Sequence, residues 1–133
     1  MIKSLIAIVA VLTAVLLAPA PAGASVSVKG CRLIAQMSGP VGKAKSDYRE
    51  TQRAGKTIRT LKVEIEKGQA GATYEIRVNG QFVKNITLNS FGAAEVEIRS
   101  KTDDPTKVGT VPVIKAGDTV TAGPYSGAFV PKN

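Results

Sequence analysis

Two pairs of glutamates stand at a spacing that could support acid–base chemistry. Glu64/Glu66 and Glu95/Glu97 are each separated by one residue, so each pair lies on one side of an extended strand. On adjacent strands the four carboxylates would form a cluster suited to glycoside hydrolysis or to cation binding. The favoured interpretation is a solvated strand face, in which cations across the sheet neutralise the acids. Those cations are Lys62, Arg77 and Arg99.

A basic segment is the second candidate site. Six cations lie between positions 43 and 59, against only Asp47 and Glu50. They are Lys43, Lys45, Arg49, Arg53, Lys56 and Arg59. Such a segment can bind a polyanion, or it can guard the edge strand of a sheet against association. A nucleic-acid platform would add stacking aromatics, but Tyr48 is expected to face inward, so nucleic acid is not the expected partner.

Missing residue types exclude several classes of chemistry. The sequence contains no histidine, which removes a Ser-His-Asp triad, a Cys-His pair and the usual zinc sites. No glycine-rich phosphate loop of the G-x-x-x-x-G-K-[ST] type occurs. Asp103 and Asp104 are adjacent, but two acids supply too few oxygens for calcium. The sequence therefore predicts a non-enzymatic protein without a cofactor or metal.

The first 24 residues have the pattern of a secretory signal peptide. Lys3 precedes an apolar run over 5–17, and small residues around Ala24 form a cleavage site. We expect residues 25–133 to form one exported domain, periplasmic or secreted, with no membrane span after cleavage. The single cysteine, Cys31, excludes an internal disulfide. Burial is its expected state, and intermolecular pairing or lipid attachment are the alternatives.

Alternating apolar and polar residues predict strands throughout the exported part. The clearest stretch is 73–88, in which two alternating segments flank Asn79-Gly80, a pair typical of a tight hairpin turn. In its second segment Phe82, Ile86 and Leu88 are expected to share the buried face. We expect seven or eight short strands, arranged as a single antiparallel β-sandwich.

The other predicted strands include one edge strand and one proline-containing strand. Segment 43–51 is predicted to lie at a sheet edge, followed by a polar connection over 52–56. Segment 111–114 is predicted to be a short strand, with Pro112 marking an edge or bulge. The remaining strands are predicted within 25–38, 57–67, 94–99, 119–122 and 127–130.

Three segments carry a resemblance to a known family. They read MSGPVGKAKSDY at 37–48, LKVEIEKGQAGATYEIRVNG at 61–80 and SFGAAEVEI at 90–98. This layout resembles the secreted β-sandwich domains of the CHRD type, which are similar to the superoxide dismutase sandwich. Those domains usually carry central histidines, and this chain has none, so the resemblance implies the fold and a binding or matrix role without copper or zinc.

The net charge is +8, which favours attraction to anionic partners. The sequence as a whole predicts an exported, non-enzymatic binding or structural domain at the cell envelope or outside the cell. Its expected partner is an anionic cell-surface polymer, bound through the basic segment, or another exported protein. The alternative is a hydrolase using the four glutamates named above.

Overall fold

Strands form all the regular secondary structure in the part of the chain that the structure describes. The structure is a computed structural model, and it describes residues 30–132. Within that range nine strands and no helix occur. The strands are β1 Cys31–Met37, β2 Lys43–Arg53, β3 Lys56–Glu66, β4 Thr73–Val78, β5 Gln81–Thr87, β6 Ala94–Arg99, β7 Thr119–Ala122, β8 Tyr125–Ala128 and β9 Val130–Pro131. The predicted signal peptide over 1–24 lies outside the described residues. None of the residues in 30–132 belongs to a helix with the length and apolarity needed to cross a bilayer.

The strands form two antiparallel sheets that share one core. The larger sheet has the order β9-β1-β2-β3-β6, and the smaller has the order β5-β4-β7-β8. Alternate residues of both sheets enter a single buried cluster, including Leu33 and Leu61 from the larger sheet and Ile76 and Val120 from the smaller. The prediction of an all-β, antiparallel, sandwich-like fold is therefore confirmed, with nine strands in 30–132 instead of seven or eight.

Phe129 marks the point where the chain passes from the smaller sheet to the larger. It lies between β8 and β9 and is fully buried. The Phe129 ring packs edge to face against the ring of Tyr48 on β2, with 6.5 Å between the ring centroids. A backbone bridge between Ser38 and Ser126 also joins the sheets, with N–H···O distances of 2.9 and 3.0 Å in the two directions. These contacts hold the two sheets together along the β1/β8 side.

The β2–β3 hairpin is the longest in the described chain. Each strand has eleven residues, and the turn consists only of Ala54 and Gly55, both with positive φ. The prediction of a polar connection over 52–56 was therefore wrong, because the strands continue to Arg53 and restart at Lys56. Residues 51–56 are exposed, so the tip of the hairpin projects beyond the packed core.

The position of β2 corrects a second prediction. This strand is third of five and pairs with β1 and β3, so it is central, not an edge strand. Its inward residues are as expected, since Ala44, Ser46 and Tyr48 are all buried. The polar Ser46 satisfies its hydroxyl by donating a hydrogen bond of 3.1 Å to the carbonyl oxygen of Lys62.

The predicted Asn79-Gly80 hairpin is confirmed, with φ values of 51° and 82° that match a type I′ turn. The prediction for Phe82 was wrong. The β4–β5 register shifts between Ile76 and Arg77, so Val83 becomes an extra residue and the alternation reverses. Phe82 is therefore half exposed, while Val83 packs against the core.

Two further predictions were wrong. Segment 111–114 is not a strand, although Val111 and Ile114 are buried in the core as part of an irregular segment. Pro112 lacks the N–H that a strand would use. Cys31, the first residue of β1, is exposed instead of buried.

Candidate functional site

The solvent-facing side of the larger sheet gathers most of the candidate residues, and we call it the outer face. The register of β1, β2, β3 and β6 sets alternate residues of each strand on this side. Its members are Arg32, Ile34, Gln36, Lys43, Lys45, Asp47, Arg49, Thr51, Arg53, Lys56, Ile58, Thr60, Lys62, Glu64, Glu66, Glu95, Glu97 and Arg99. All of them except Ile34 and Ile58 are polar, because the opposite side of the same strands forms the core.

Five of the six predicted cations lie on the outer face. Arg59 is the exception, because it has the opposite parity on β3. Its Nε donates a hydrogen bond of 2.9 Å to Glu50, which is its direct partner in the register. Tyr48 is buried on the core side, as predicted.

The four glutamates also share the outer face, and Glu64 stands directly opposite Glu95. Three of these glutamates form ion pairs with lysine or arginine side chains. Lys45 Nζ is 3.4 Å from Glu64, and Lys62 Nζ is 3.1 Å from Glu95. The hydrogen bond to Glu95 raises the pKa of Lys62.

Glu97 binds two cations at once. Its carboxylate oxygens lie 3.0 Å from Lys107 Nζ and 3.4 Å from Arg99 Nη2. The hydrogen bond from Lys107, aided by Arg99, lowers the pKa of Glu97. Lys62 neutralises Glu95 from the neighbouring strand, as predicted. The cross-strand prediction was wrong for Arg99, which pairs with Glu97 on its own strand, and for Arg77, whose Nε lies 3.0 Å from Glu75 on the smaller sheet.

Charge is distributed unevenly along the outer face. Toward the β1–β2 turn, the cross-strand rows mix cations with the glutamates. Toward the β2–β3 turn, three successive cross-strand rows contain no acid. The first consists of Arg32, Arg49, Thr60 and Arg99. The second contains Thr51 and Ile58, and the third pairs Arg53 with Lys56. We call these five cations, Arg32, Arg49, Arg99, Arg53 and Lys56, the cationic end.

Acids from the neighbouring row reach only two members of the cationic end. Arg32 Nε lies 3.2 Å from both Asp47 oxygens, and this pair raises the pKa of Arg32. Arg99 contacts Glu97 as described above. Arg49, Arg53 and Lys56 form no ion pair with any residue of 30–132.

A shallow depression of about 150 Å³ lies over the row Arg32, Arg49, Thr60, Arg99, which we call the arginine row. Arg32, Arg49, Thr60 and Arg99 line it, together with the paired groups Asp47, Lys62 and Glu97. The buried Nε of Arg99 has no hydrogen-bond partner among the described residues. The arrangement offers several guanidinium donors and one hydroxyl to an acceptor that enters from solvent.

No protein-family model, curated protein or solved structure matches this chain.

The loop acids do not form a metal site in the described chain. Asp104 accepts hydrogen bonds from the backbone N–H and the hydroxyl of Thr106, at 2.9 and 2.6 Å, and these bonds lower its pKa. Within 30–132 no three His, Cys, Asp or Glu side chains are grouped closely enough to hold a metal ion. Asp104 therefore fixes the loop that leads from β6 toward Lys107.

Sequence reasoning missed Arg32, Thr60 and Arg99 as members of the candidate site. They come from three separate strands, and only the register brings them beside Arg49. Their parity was visible in the sequence, because each alternates with apolar residues. The pairing of β3 with β6 was not, since two strands of the other sheet intervene in the chain.

Proposed function

We propose that this protein is an exported, non-enzymatic β-sandwich domain that binds an anionic polymer through the cationic end of its outer face. Residues 1–24 act as a cleaved signal peptide, and residues 25–133 form the domain in the periplasm or outside the cell. The apolar leader with its small-residue cleavage site supports export. Two sheets around a shared core support the sandwich.

The observation that carries the proposal is the set of unpaired cations. Arg49, Arg53 and Lys56 project on one side of a single hairpin and have no acidic partner among the described residues. Arg53 and Lys56 stand directly opposite each other, although like charges at that position disfavour the hairpin. A polyanion that neutralises them removes this repulsion, which makes binding favourable.

The shape of the surface favours a flexible polymer without base stacking. No aromatic residue lies among the described members of the outer face, whereas single-stranded nucleic acid is usually held by aromatic stacking. From Arg49 to Arg53 the strand spans roughly 13 Å, at about 3.3 Å per residue, so a few repeating anionic groups fit along the cationic end. An anionic cell-surface polysaccharide or phosphate-bearing polymer matches this surface better than a nucleic acid, and an acidic exported protein is the other candidate partner.

The ion pairs of the glutamates support a binding role over the hydrolase alternative. A general acid at neutral pH needs a raised pKa, but that of Glu97 is lowered by Lys107. Glu64 and Glu95 each engage a lysine. A substrate panel that detects turnover lost in Glu64→Gln or Glu95→Gln would contradict the non-enzymatic assignment.

Retention on immobilised heparin and on immobilised polyphosphate tests the proposal. We expect the processed protein to be retained at low salt and to elute early after Arg53/Lys56→Gln. The matched control is Lys84/Lys115→Gln, which removes two positive charges away from the outer face. Equal loss of retention in both double variants would show that only total charge matters and would contradict the assigned surface.

A further inference from the structure

The arginine row brings like charges together at a cost to the fold. Arg32 is the direct cross-strand partner of Arg49, and Thr60 separates Arg49 from Arg99 across β3. Adjacent strands are about 4.8 Å apart, so the three arginines fall within a few strand spacings. Like charges directly opposite each other destabilise a sheet. Asp47 offsets the charge of Arg32, but no acid in the described residues does the same for Arg49.

The row also holds donors that lack acceptors. The Nε of Arg99 is buried and has no partner in 30–132, while its Nη2 reaches Glu97 only at 3.4 Å. A buried donor without an acceptor costs free energy, so the Arg99 guanidinium is not held in place by a full set of protein partners. Thr60 lies between Arg49 and Arg99 and lines the same depression of about 150 Å³.

We infer that the depression over Arg49, Thr60 and Arg99 is a subsite for one tetrahedral oxyanion, the phosphate or sulfate group of the bound polymer. This inference rests on the proposed function and deepens it, because it separates a specific group-binding subsite from the general attraction of the cationic end. Guanidinium groups present planar N–H donors that match the oxygens of such anions, usually two at a time. The Thr60 hydroxyl supplies a further donor at the centre of the row.

The ion pairs of the row leave donors available at Arg49, Thr60 and Arg99 but not at Arg32. Asp47 occupies the guanidinium of Arg32 through both carboxylate oxygens, and Glu97 occupies one nitrogen of Arg99. The donors left for a ligand are therefore those of Arg49, the Nη1 of Arg99 and the Thr60 hydroxyl. These three residues lie next to one another in the register, on β2, β3 and β6.

The test is an NMR titration of the processed protein with sodium phosphate and, separately, sodium sulfate, at constant ionic strength set with sodium chloride. We expect saturable shifts of the Thr60 amide and of the Arg99 Nε–H resonance. A saturable response to only one ion identifies the ester class of the polymer, and a response to both identifies a general oxyanion subsite. Shifts that do not saturate, or that spread evenly over the outer face, would overturn the inference.

Variants separate the subsite from bulk charge. Arg49→Gln and Arg99→Gln should each lower the affinity for the responding ion about tenfold, which is the loss expected when a hydrogen bond to a charged group is removed. Arg49→Lys keeps the charge but loses the planar guanidinium with its paired N–H donors, so it should also weaken ion binding. Thr60→Val removes the hydroxyl with little change of side-chain shape and so tests the contribution of that donor. Lys115→Gln is the charge-matched control and should change the affinity less than twofold. Amide dispersion in each spectrum confirms that the variant is folded.

The two proposals fail separately. Retention of polymer by the cationic end, with no saturable ion response at Thr60 and Arg99, would overturn the subsite and leave the proposed function intact. A saturable response at the row without retention on heparin or polyphosphate would overturn the proposed function and leave an oxyanion site.

Discussion

Replacing Arg53 and Lys56 by glutamine should change how steeply polymer binding depends on salt. Three members of the cationic end, Arg49, Arg53 and Lys56, lack an ion pair among the described residues. For a flexible polyanion the logarithm of the affinity falls with the logarithm of salt by roughly 0.7 per neutralised charge, as for single-stranded nucleic acid. Three charges give a slope of about −2, so affinity for polyphosphate should fall roughly 20-fold between 50 and 200 mM salt.

The double variant retains only Arg49 of this set. Its slope should be about −0.7, and its affinity should fall only roughly threefold over the same range. Fluorescence anisotropy of labelled polyphosphate, at four or more salt concentrations, measures both slopes. Lys84/Lys115→Gln should keep the steep slope, because neither residue lies on the outer face. A double variant as salt-sensitive as the parent, or a control that flattens equally, would refute the assignment of these cations.

Three further outcomes are expected. Gly92→Ala should lower the free energy of unfolding in urea by about 3 kcal/mol or more, because Gly92 has φ +75° and its added Cβ would clash with the Gly68 carbonyl oxygen. Gly71→Ala has a similar φ of +77° but open space, so it should cost only about 1–2 kcal/mol, and equal costs would contradict the close approach. The interactions that lower the pKa of Glu97 stabilise the fold above pH 4.5, the ordinary pKa of a glutamate, and this stabilisation is lost as the pH falls through the lower pKa of the folded state. In Glu97→Gln the unfolding free energy should therefore fall less on acidification below about pH 4.5, by a difference of up to about 1 kcal/mol. An unchanged dependence of the unfolding free energy on pH would argue against the ion pairs. The exposed Cys31 thiol should react with an aromatic disulfide reagent in the folded protein within about tenfold of its rate in urea, whereas protection by several orders of magnitude would place it inside.

Local alternation was enough to predict most strands, because a residue's parity determines which face it enters. Leu61, Val63 and Ile65 are all buried as their spacing requires. Alternation does not reveal which strands pair, so β2 was placed at an edge although it is central. It also fails where the backbone inserts a residue, and the bulge opposite Ile76 and Arg77 turned Phe82 outward.

The candidate site was predictable only in part for the same reason. The cations of one hairpin, from Lys43 to Lys56, were recognisable because they are close in sequence. Arg59 was included with them, but its parity turns it to the other side, where Glu50 binds it. The arginine row depends on pairing between β3 and β6, which the intervening β4–β5 hairpin hides from any reading of neighbouring residues.

The pairing of β9 with β1 has a consequence for how quickly the molecule reaches its native state. Val130 pairs with Ile34, so the first and last strands of the described chain are neighbours in one sheet. Contacts between such distant positions raise the contact order, and all-β domains of this kind typically take milliseconds to seconds to fold. Until β9 has paired, the unpaired edge of β1 can form hydrogen bonds with other chains and so promote aggregation. The refolding yield at high protein concentration therefore measures how effectively β9 covers that edge.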